Sequence, residues 1–575
     1  MAATAHDYDL IVRNGYVVDG SGLPRRRVDV GVRDGRVAKL GHLGGQRAEE
    51  EIDASGMIVA PGIVDPHTHY DPQITFDPYA TVSCFHGVTT VVAGNCGFSV
   101  APVKPEDEDF VGGIFAQVEN MDPVALSEVE WADSFARFLQ TRAGALGVNF
   151  GCYVGHSNVR RWVMGDDATE RTATDHEITE MRRIVSDAMR AGAAGLSSSA
   201  APTHLDIRGR AVPSRLADNR EVLALAAAAG EHGSGTISFL PASAIGGLDD
   251  EDKQLLIDLG TVSGLPVIIQ GLGGRNKVDA PTATWEASVD FLDRATAQGA
   301  PVYSLLITRP FDRGLVIGPE NLHYQAVPSW ARMLALPHDE RMALLRDRAA
   351  RDELRTAVEN YNRDPAKGTT VPPPLWTNVF VDRVVRPEHE KLQGRSIADV
   401  AVEEDKAPGD VMLDLALSED LATEFRWRTE SPEWTDAVRT AQLDARMLIG
   451  VSDGGAHLAR DDGADWSSYY LRSWVLDRRV WTLEEGIRQI TQVPAALLGL
   501  TGRGTVRVGG WADLMVFDPD RIGPWRKEFV HDLPGGVGRF KAWGQGVTAT
   551  IVNGQPIVVD GELTGRLPGH IVSPS

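Results

Sequence analysis

The chain has 575 residues, too many for one ordinary core, so two or more packed units are expected. Its formal charge of −23 speaks against nucleic acid and against an anionic membrane face, because phosphate binding needs a concentrated basic surface. Three cysteines, Cys84, Cys96 and Cys152, are too few for a disulfide framework, and neither a basic-then-apolar leader nor a bilayer-length apolar run is found. These features predict a soluble, cytoplasmic enzyme or binding protein with no membrane partner.

The first 55 residues read as short strands, "DYDLIVRNGYVVDG", "VDVGVRDGRVAKLG" and "EEEIDASGMIVAPG". Asn14-Gly15 and Asp34-Gly35 lie between β-rich runs, the sequence signal for tight hairpins. The C-terminus has the same character in "ADLMVFDP" and "TATIVNGQPIVVDGELTG". One small β domain assembled from both chain ends, residues 1–60 plus 500–575, is the economical reading.

From "MIVAPGIVDPHTHY" onward the pattern becomes strand, loop, helix. Ile58 to Val64 reads as one buried strand carrying His67 and His69 at its end. Seven further strands follow: "GVTTVVAGNC", "GVNFGCYVGH", "AAGLSSSAA", "GTISFLPAS", "LPVIIQGL", "PVYSLLITRP" and "MLIGVSDGGAH". Helical stretches such as "EITEMRRIVSDAMRAG" close on glycine, as helix ends often do. Eight such units over 61–499 predict an α/β protein with a closed (β/α)8, TIM-like barrel. An open doubly wound sheet is the runner-up, disfavoured because the first βα turn has no glycine-rich phosphate loop. Residues 311 to about 440, after the seventh strand, break the rhythm with "TTVPPPLW" and charged helices. Such an insertion is read either as a lid or substrate-binding segment over the site or as a decorative subdomain or oligomer contact.

Residues i and i+2 of a strand share a face, so His67 and His69 come together at a strand end. Neutral imidazoles placed so suit zinc, at about 2.0–2.1 Å from the ring nitrogens. The plainer reading is two solvated loop histidines. Barrel enzymes keep their chemistry at the C-terminal ends of strands, which singles out further candidates. The second strand ends in Asn95 and Cys96, the third in "GHSNVR" with His156 and Arg160, and the eighth in "SDGGAH" with Asp453 and His457. The fifth offers no ligand, and the sixth offers Gln270, a poor one.

Four segments together, "VAPGIVDPHTHYD", "GVTTVVAGNCGF", "GVSDGGAHLAR" and "GTVRVGGWADLMVFDP", resemble the amidohydrolase superfamily. "GNCGFSVAP" and "LPGGVGRFKAWGQGVTATIVNG" resemble its N-acyl-D-amino-acid deacylase (D-aminoacylase) branch. The resemblance covers most of the chain outside the interior of 311–440. It implies a (β/α)8 barrel beside a β-sandwich built from both termini, and a metal surrounded by His67, His69, Cys96 and Asp453. One departure stands out. D-aminoacylases have histidines at the ends of strands five and six, where this chain has Ser238, Phe239 and Leu240, and Gln270 and Gly271. No lysine on strand four offers a carbamylated bridge either. Two cations sharing four protein ligands are under-coordinated, so one Zn2+ per chain is expected. His156, His204 and His457 are possible substitutes for the missing ligands.

The resulting expectation is hydrolysis of the amide of an N-acyl (D-)amino acid. A metal-activated water attacks while Asp453 takes its proton and returns it to the leaving nitrogen. His156 or His457 is a candidate to polarise the carbonyl. Arg160 or Arg460 is a candidate anchor for the substrate carboxylate, with Gln270 beside it. The rival readings are a cyclic amide, a carbamate or a carbon–carbon bond as the target, or a metal-free scaffold. Barrels of this type often form homo-oligomers.

Overall fold

A computed structural model of the chain describes residues 6–244, 247–269, 284–310, 312–318, 324, 327–359, 376–458 and 463–575. The described residues fall into two compact units, one within Met1–Arg275, Thr282–Arg309 and Ala437–Ser575, the other within Pro310–Asp436.

The first unit contains, among the described residues, eight parallel strands that pair in chain order. They are β1 (Ile63–Asp65), β2 (Val88–Ala93), β3 (Asn149–Cys152, resumed at Val154–Gly155), β4 (Gly195–Ser199), β5 (Thr236–Leu240), β6 (Val267–Ile269), β7 (Val302–Leu306) and β8 (Met447–Ile449). Nearly every strand residue is buried, as expected where helices cover a parallel sheet. Thr68, just past β1, makes a parallel bridge to Gly454, just past β8. The intervening helices are well signalled. Asp175–Ala191 starts on a reciprocal cap between Thr174 and Glu177 and stops on Gly192 in the left-handed conformation.

Two expectations for the N-terminal region are corrected. The apolar run 58–64 is two strands in two different sheets. Ile58–Pro61 runs antiparallel to Leu514–Phe517, and only Ile63–Asp65 joins the parallel set. The break falls at Gly62, where a Cβ would lie 2.1 Å from the Thr89 hydroxyl oxygen, so only glycine lets the chain pass. Asn14-Gly15 is not a hairpin turn either. Tyr8–Arg13 before it and Tyr16–Val17 after it belong to different sheets, whereas Asp34-Gly35 does join an antiparallel pair.

The terminal strands form a four-stranded sheet, Arg36–Gly41, Asp29–Arg33, Tyr8–Arg13 and Ala48–Asp53, and a seven-stranded sheet with strands from both chain ends. One apolar cluster joins them: Leu10, Val12, Val30 and Val32 from the first meet Val59, Leu514, Val516 and Ile551 from the second.

The second unit has its own antiparallel sheet, Arg313–Leu315, Glu424–Trp427 and Val379–Arg383, with helices such as Pro328–Leu334 and Pro408–Ser418. Its core is centred on Trp330, stacked on Tyr324 at 4.1 Å, with Met412 and Phe425. Most of the Pro-rich stretch lies outside the described residues. Among the described residues no helix is long and apolar enough to cross a membrane.

Candidate functional site

Backbone hydrogen bonds past the strand ends bring three loops together. The Thr68 N–H and hydroxyl both donate to the Val92 carbonyl, each at 3.0 Å, which ties the His67–His69 segment to β2. The Asn95 side-chain amide donates to the carbonyls of Thr68 (3.2 Å) and Val92 (3.1 Å). The His69 N–H donates to the Gly454 carbonyl at 2.8 Å, which brings the loop after β8 alongside. After β2 the chain turns sharply through Gly94 (φ +74°), Cys96 (φ +59°) and Gly97 (φ +87°). At Gly94 a Cβ would lie 2.4 Å from the Tyr153 carbonyl oxygen, so this turn needs glycine. Cys96 and Asp453 (φ +50°) hold left-handed backbone without being glycine, strain of the kind that collects at functional sites.

The side chains converge through their Nε2 atoms. His67 Nε2 is 3.3 Å from an Asp453 carboxylate oxygen, and His69 Nε2 is 3.9 Å from the same atom. The Cys96 sulfur lies 3.9 Å from His69 Nε2. Ligand atoms of His67, His69 and Cys96 all fall within 4.8 Å of one another, and all three residues are buried. Asp453 keeps 24% of its side chain exposed. Burial, with a smaller effect from His67, pulls the His69 imidazole down to about 3, so it is neutral at physiological pH, as a metal ligand must be. Partial desolvation raises the Asp453 carboxyl, but the hydrogen bond and charge of His67 outweigh this and hold it well below the ordinary range. Behind the pair, the buried Asp65 accepts from the Trp466 indole N–H (2.9 Å) and the His67 N–H (3.3 Å).

Other residues singled out in the sequence are placed elsewhere. His156 opens the helix His156–Met164, and its ring nitrogens are hydrogen-bonded to Ser198 Oγ and Glu221 Oε1, each at 2.8 Å. Arg160 Nε lies 3.4 Å from the same Glu221 oxygen, and none of these three side chains is exposed. His156 and Arg160 are therefore fully buried and engaged with Glu221, which weighs against their reading as a carbonyl polariser and a carboxylate anchor. His204 is hydrogen-bonded to Ser199 Oγ at 2.8 Å, and burial followed by the charge of Arg215 lowers it to about 4. The ring of Phe98 neighbours both it and His69, with centroid distances of 6.2 and 6.3 Å. Ser238, in the part of strand five (Ser238, Phe239 and Leu240) where the resemblance gives a histidine, donates its hydroxyl to the Asn95 side-chain carbonyl at 3.0 Å. Gln270 and Arg460 lie outside the described residues.

His457 does face the cluster, across a residue that motif reading missed. Its Nε2 lies 3.6 Å from Glu119 Oε2, which is also 3.6 Å from His69 Nε2. Its Nδ1 is hydrogen-bonded to Asn120 Oδ1 at 2.9 Å. Glu119 follows the helix Glu108–Val118, far from any strand end. No local signal in the sequence marks it, because a glutamate closing a helix is ordinary.

These residues fit a metal ion by their chemistry: two imidazoles, a thiol and a carboxylate, with His67 and His69 Nε2 at 3.3 and 3.9 Å from Asp453 and the Cys96 sulfur 3.9 Å from His69 Nε2. Cysteine and histidine together are the donor types of a zinc-like cation. A family model described as "Amidohydrolase family" matches residues 50–361 and 400–558, and the chain belongs to that family, in its D-aminoacylase branch. A D-aminoacylase of Alcaligenes xylosoxydans xylosoxydans is 28% identical over 98% of both chains. Among solved structures, N-acyl-D-glutamate deacylase from Bordetella bronchiseptica, complexed with zinc and a phosphonate inhibitor, matches with a TM-score of 0.64. It is 23% identical and covers 98% of this chain and 99% of that one. A D-aminoacylase studied for the role of its binuclear metal center matches at 0.61 and 22% identity, covering 98% and 100%. The structural likeness establishes the amidohydrolase fold.

Proposed function

We propose that this protein is a metal-dependent deacylase that hydrolyses the amide of an N-acyl-D-amino acid. One cation, zinc by its donors, is held by His67, His69, Cys96 and Asp453. The observation that carries the reading is the convergence of His67, His69 and Cys96, with Asp453 at their open side. A cation bound there supplies Lewis acidity and makes hydroxide available at neutral pH. The remaining work falls to the chain. His67 and His69, buried and held in place by the Thr68 N–H on the Val92 carbonyl and the His69 N–H on the Gly454 carbonyl, fix the donor geometry before substrate arrives. Asp453, the partly exposed carboxylate of the group, takes the proton from the attacking water on its side-chain oxygen and returns it to the leaving nitrogen. Phe98 packs along the His69 ring and keeps water off that side. Arg460, seven residues after Asp453 in sequence, is the proposed anchor for the substrate carboxylate. In this reading the eight parallel strands close into a (β/α)8 barrel beside a β-sandwich of residues 1–60 and 500–575. The Thr68–Gly454 bridge and the shared apolar cluster support it.

The test is elemental analysis of purified protein, native and Cys96→Ser, alongside a panel of N-acyl-D- and N-acyl-L-amino acids. About one zinc per native chain, loosened in the variant, together with turnover of the D series is the expected result. A native chain without metal and without turnover refutes the proposal.

A further inference from the structure

The cluster contains one buried carboxylate that the proposed reaction does not use. Glu119 is 3% exposed and caps the C-terminal end of the helix Glu108–Val118, its N–H donating to the Phe115 carbonyl at 3.0 Å. That end carries the negative pole of the helix, so a carboxylate there is disfavoured, and burial adds a desolvation cost. A carboxyl group kept at such a position gains something in return.

The distances identify the gain. Two N or O donors bound to one zinc at 2.0–2.2 Å lie about 2.8–3.6 Å apart, the range spanned by the angles of four- and five-coordinate sites. Glu119 Oε2 stands 3.6 Å from His69 Nε2, close to that separation and comparable with the 3.3 Å between His67 and Asp453. His69 Nε2 is thus surrounded by Cys96 sulfur, an Asp453 oxygen and a Glu119 oxygen, all within 3.9 Å. The fifth strand contributes no donor, since Ser238 is turned to Asn95. His457 stands 3.6 Å from Glu119 Oε2 on the other side. It is fixed there by Asn120 at its Nδ1 and by its own N–H, which donates to the Glu119 carbonyl at 2.6 Å.

We infer that Glu119 is a ligand of the same cation, replacing from a helix end the donor that strand five lacks, and that His457 is the positioning residue for its carboxylate. This rests on the proposed cation site at His67, His69 and Cys96. A hard anionic oxygen added to a thiolate and two imidazoles raises the coordination number and strengthens binding electrostatically.

The test is cobalt(II) and zinc binding to the full chain, in native, Glu119→Gln, His457→Asn and Cys96→Ser forms. Zinc affinity is read by competition with a chromophoric chelator, and the cobalt site by absorption. Expected for Glu119→Gln is a loss of affinity of about 10–100-fold or more. Its visible d–d bands change in intensity while the thiolate-to-cobalt band in the near ultraviolet persists. His457→Asn weakens binding by less and keeps the native d–d pattern. Affinity and d–d bands in Glu119→Gln equal to native, with Cys96→Ser losing both metal and charge-transfer band, overturns the inference and leaves the cation site standing. No binding by the native chain overturns both. Should the amide variant not fold, Glu119→Asp, with the charge kept and the reach shortened, must show the same changed d–d bands. Native bands in that variant also overturn the inference.

Discussion

The buried triad of Glu221, His156 and Arg160 offers a quantitative test that separates a structural from a substrate-binding arginine. Glu221 lies on the helix Asn219–Gly230 and accepts from His156 at 2.8 Å, with Arg160 Nε 3.4 Å away, all three fully buried. Glu221→Leu leaves a desolvated guanidinium opposite an apolar group. Breaking a buried ion pair from one side costs about 3–5 kcal/mol, roughly two to four powers of ten in the unfolding equilibrium. Arg160→Met strands the carboxylate in the same way. The double variant removes both charges and fills similar volume, so its cost falls well below the sum of the singles, a coupling of several kcal/mol. Urea unfolding followed by tryptophan fluorescence, read at the first transition, measures all four corners of the cycle. Zinc content and turnover stay near native in the double variant. The reasoning is refuted if Arg160→Met leaves the midpoint unmoved while abolishing turnover, because the guanidinium would then serve the substrate.

Asp453→Asn is expected to lower kcat by about 10²–10⁴-fold with the native fold retained by circular dichroism, the usual contribution of a positioned acid–base group. Gly94→Ala places a Cβ 2.4 Å from the Tyr153 carbonyl oxygen and forces alanine to φ +74°, so a stability loss of about 1–3 kcal/mol and a lower metal content in elemental analysis are expected. Asp532 is raised by partial burial, but hydrogen bonds from Arg539 and Lys541 outweigh this and bring it down to about 2. A depressed carboxylate contributes stability above its unfolded value and loses it as pH falls. Asp532→Asn is therefore expected to lower the unfolding temperature at pH 7 by a small amount, because the Asp532 side chain is 35% exposed and screened by water, with the difference from native shrinking from about pH 4 to pH 2.

Much of the site was legible because its residues sit where strands stop. Apolar runs ending in His67 and His69, in Cys96 and in Asp453 mark positions that a parallel sheet brings to one edge, and short-range pattern is enough to find them. The same rule misplaced His156 and Arg160. They follow a strand, but the helix starting at His156 packs them against Glu221, which in sequence looks like an acidic residue in the first turn of a surface helix. The run Ile58–Val64 looked continuous because nothing local marks Gly62. The break there is imposed by Thr89, a contact known only once β1 and β2 pair. Glu119 was invisible for a related reason. A glutamate after an amphipathic helix is ordinary in sequence, and only the approach of His69 and His457 distinguishes it.

The pairing of Ile58–Pro61 with Leu514–Phe517 has a consequence in time. The first strand leaves the ribosome about 450 residues before its antiparallel neighbour. At about 5–20 residues per second it waits for roughly 20–90 seconds. Through that interval Ile58, Val59 and Ala60 present an unpaired apolar edge, the kind that recruits other strands. Soluble yield should therefore respond to translation speed and to holdase chaperones, through a segment that touches no substrate.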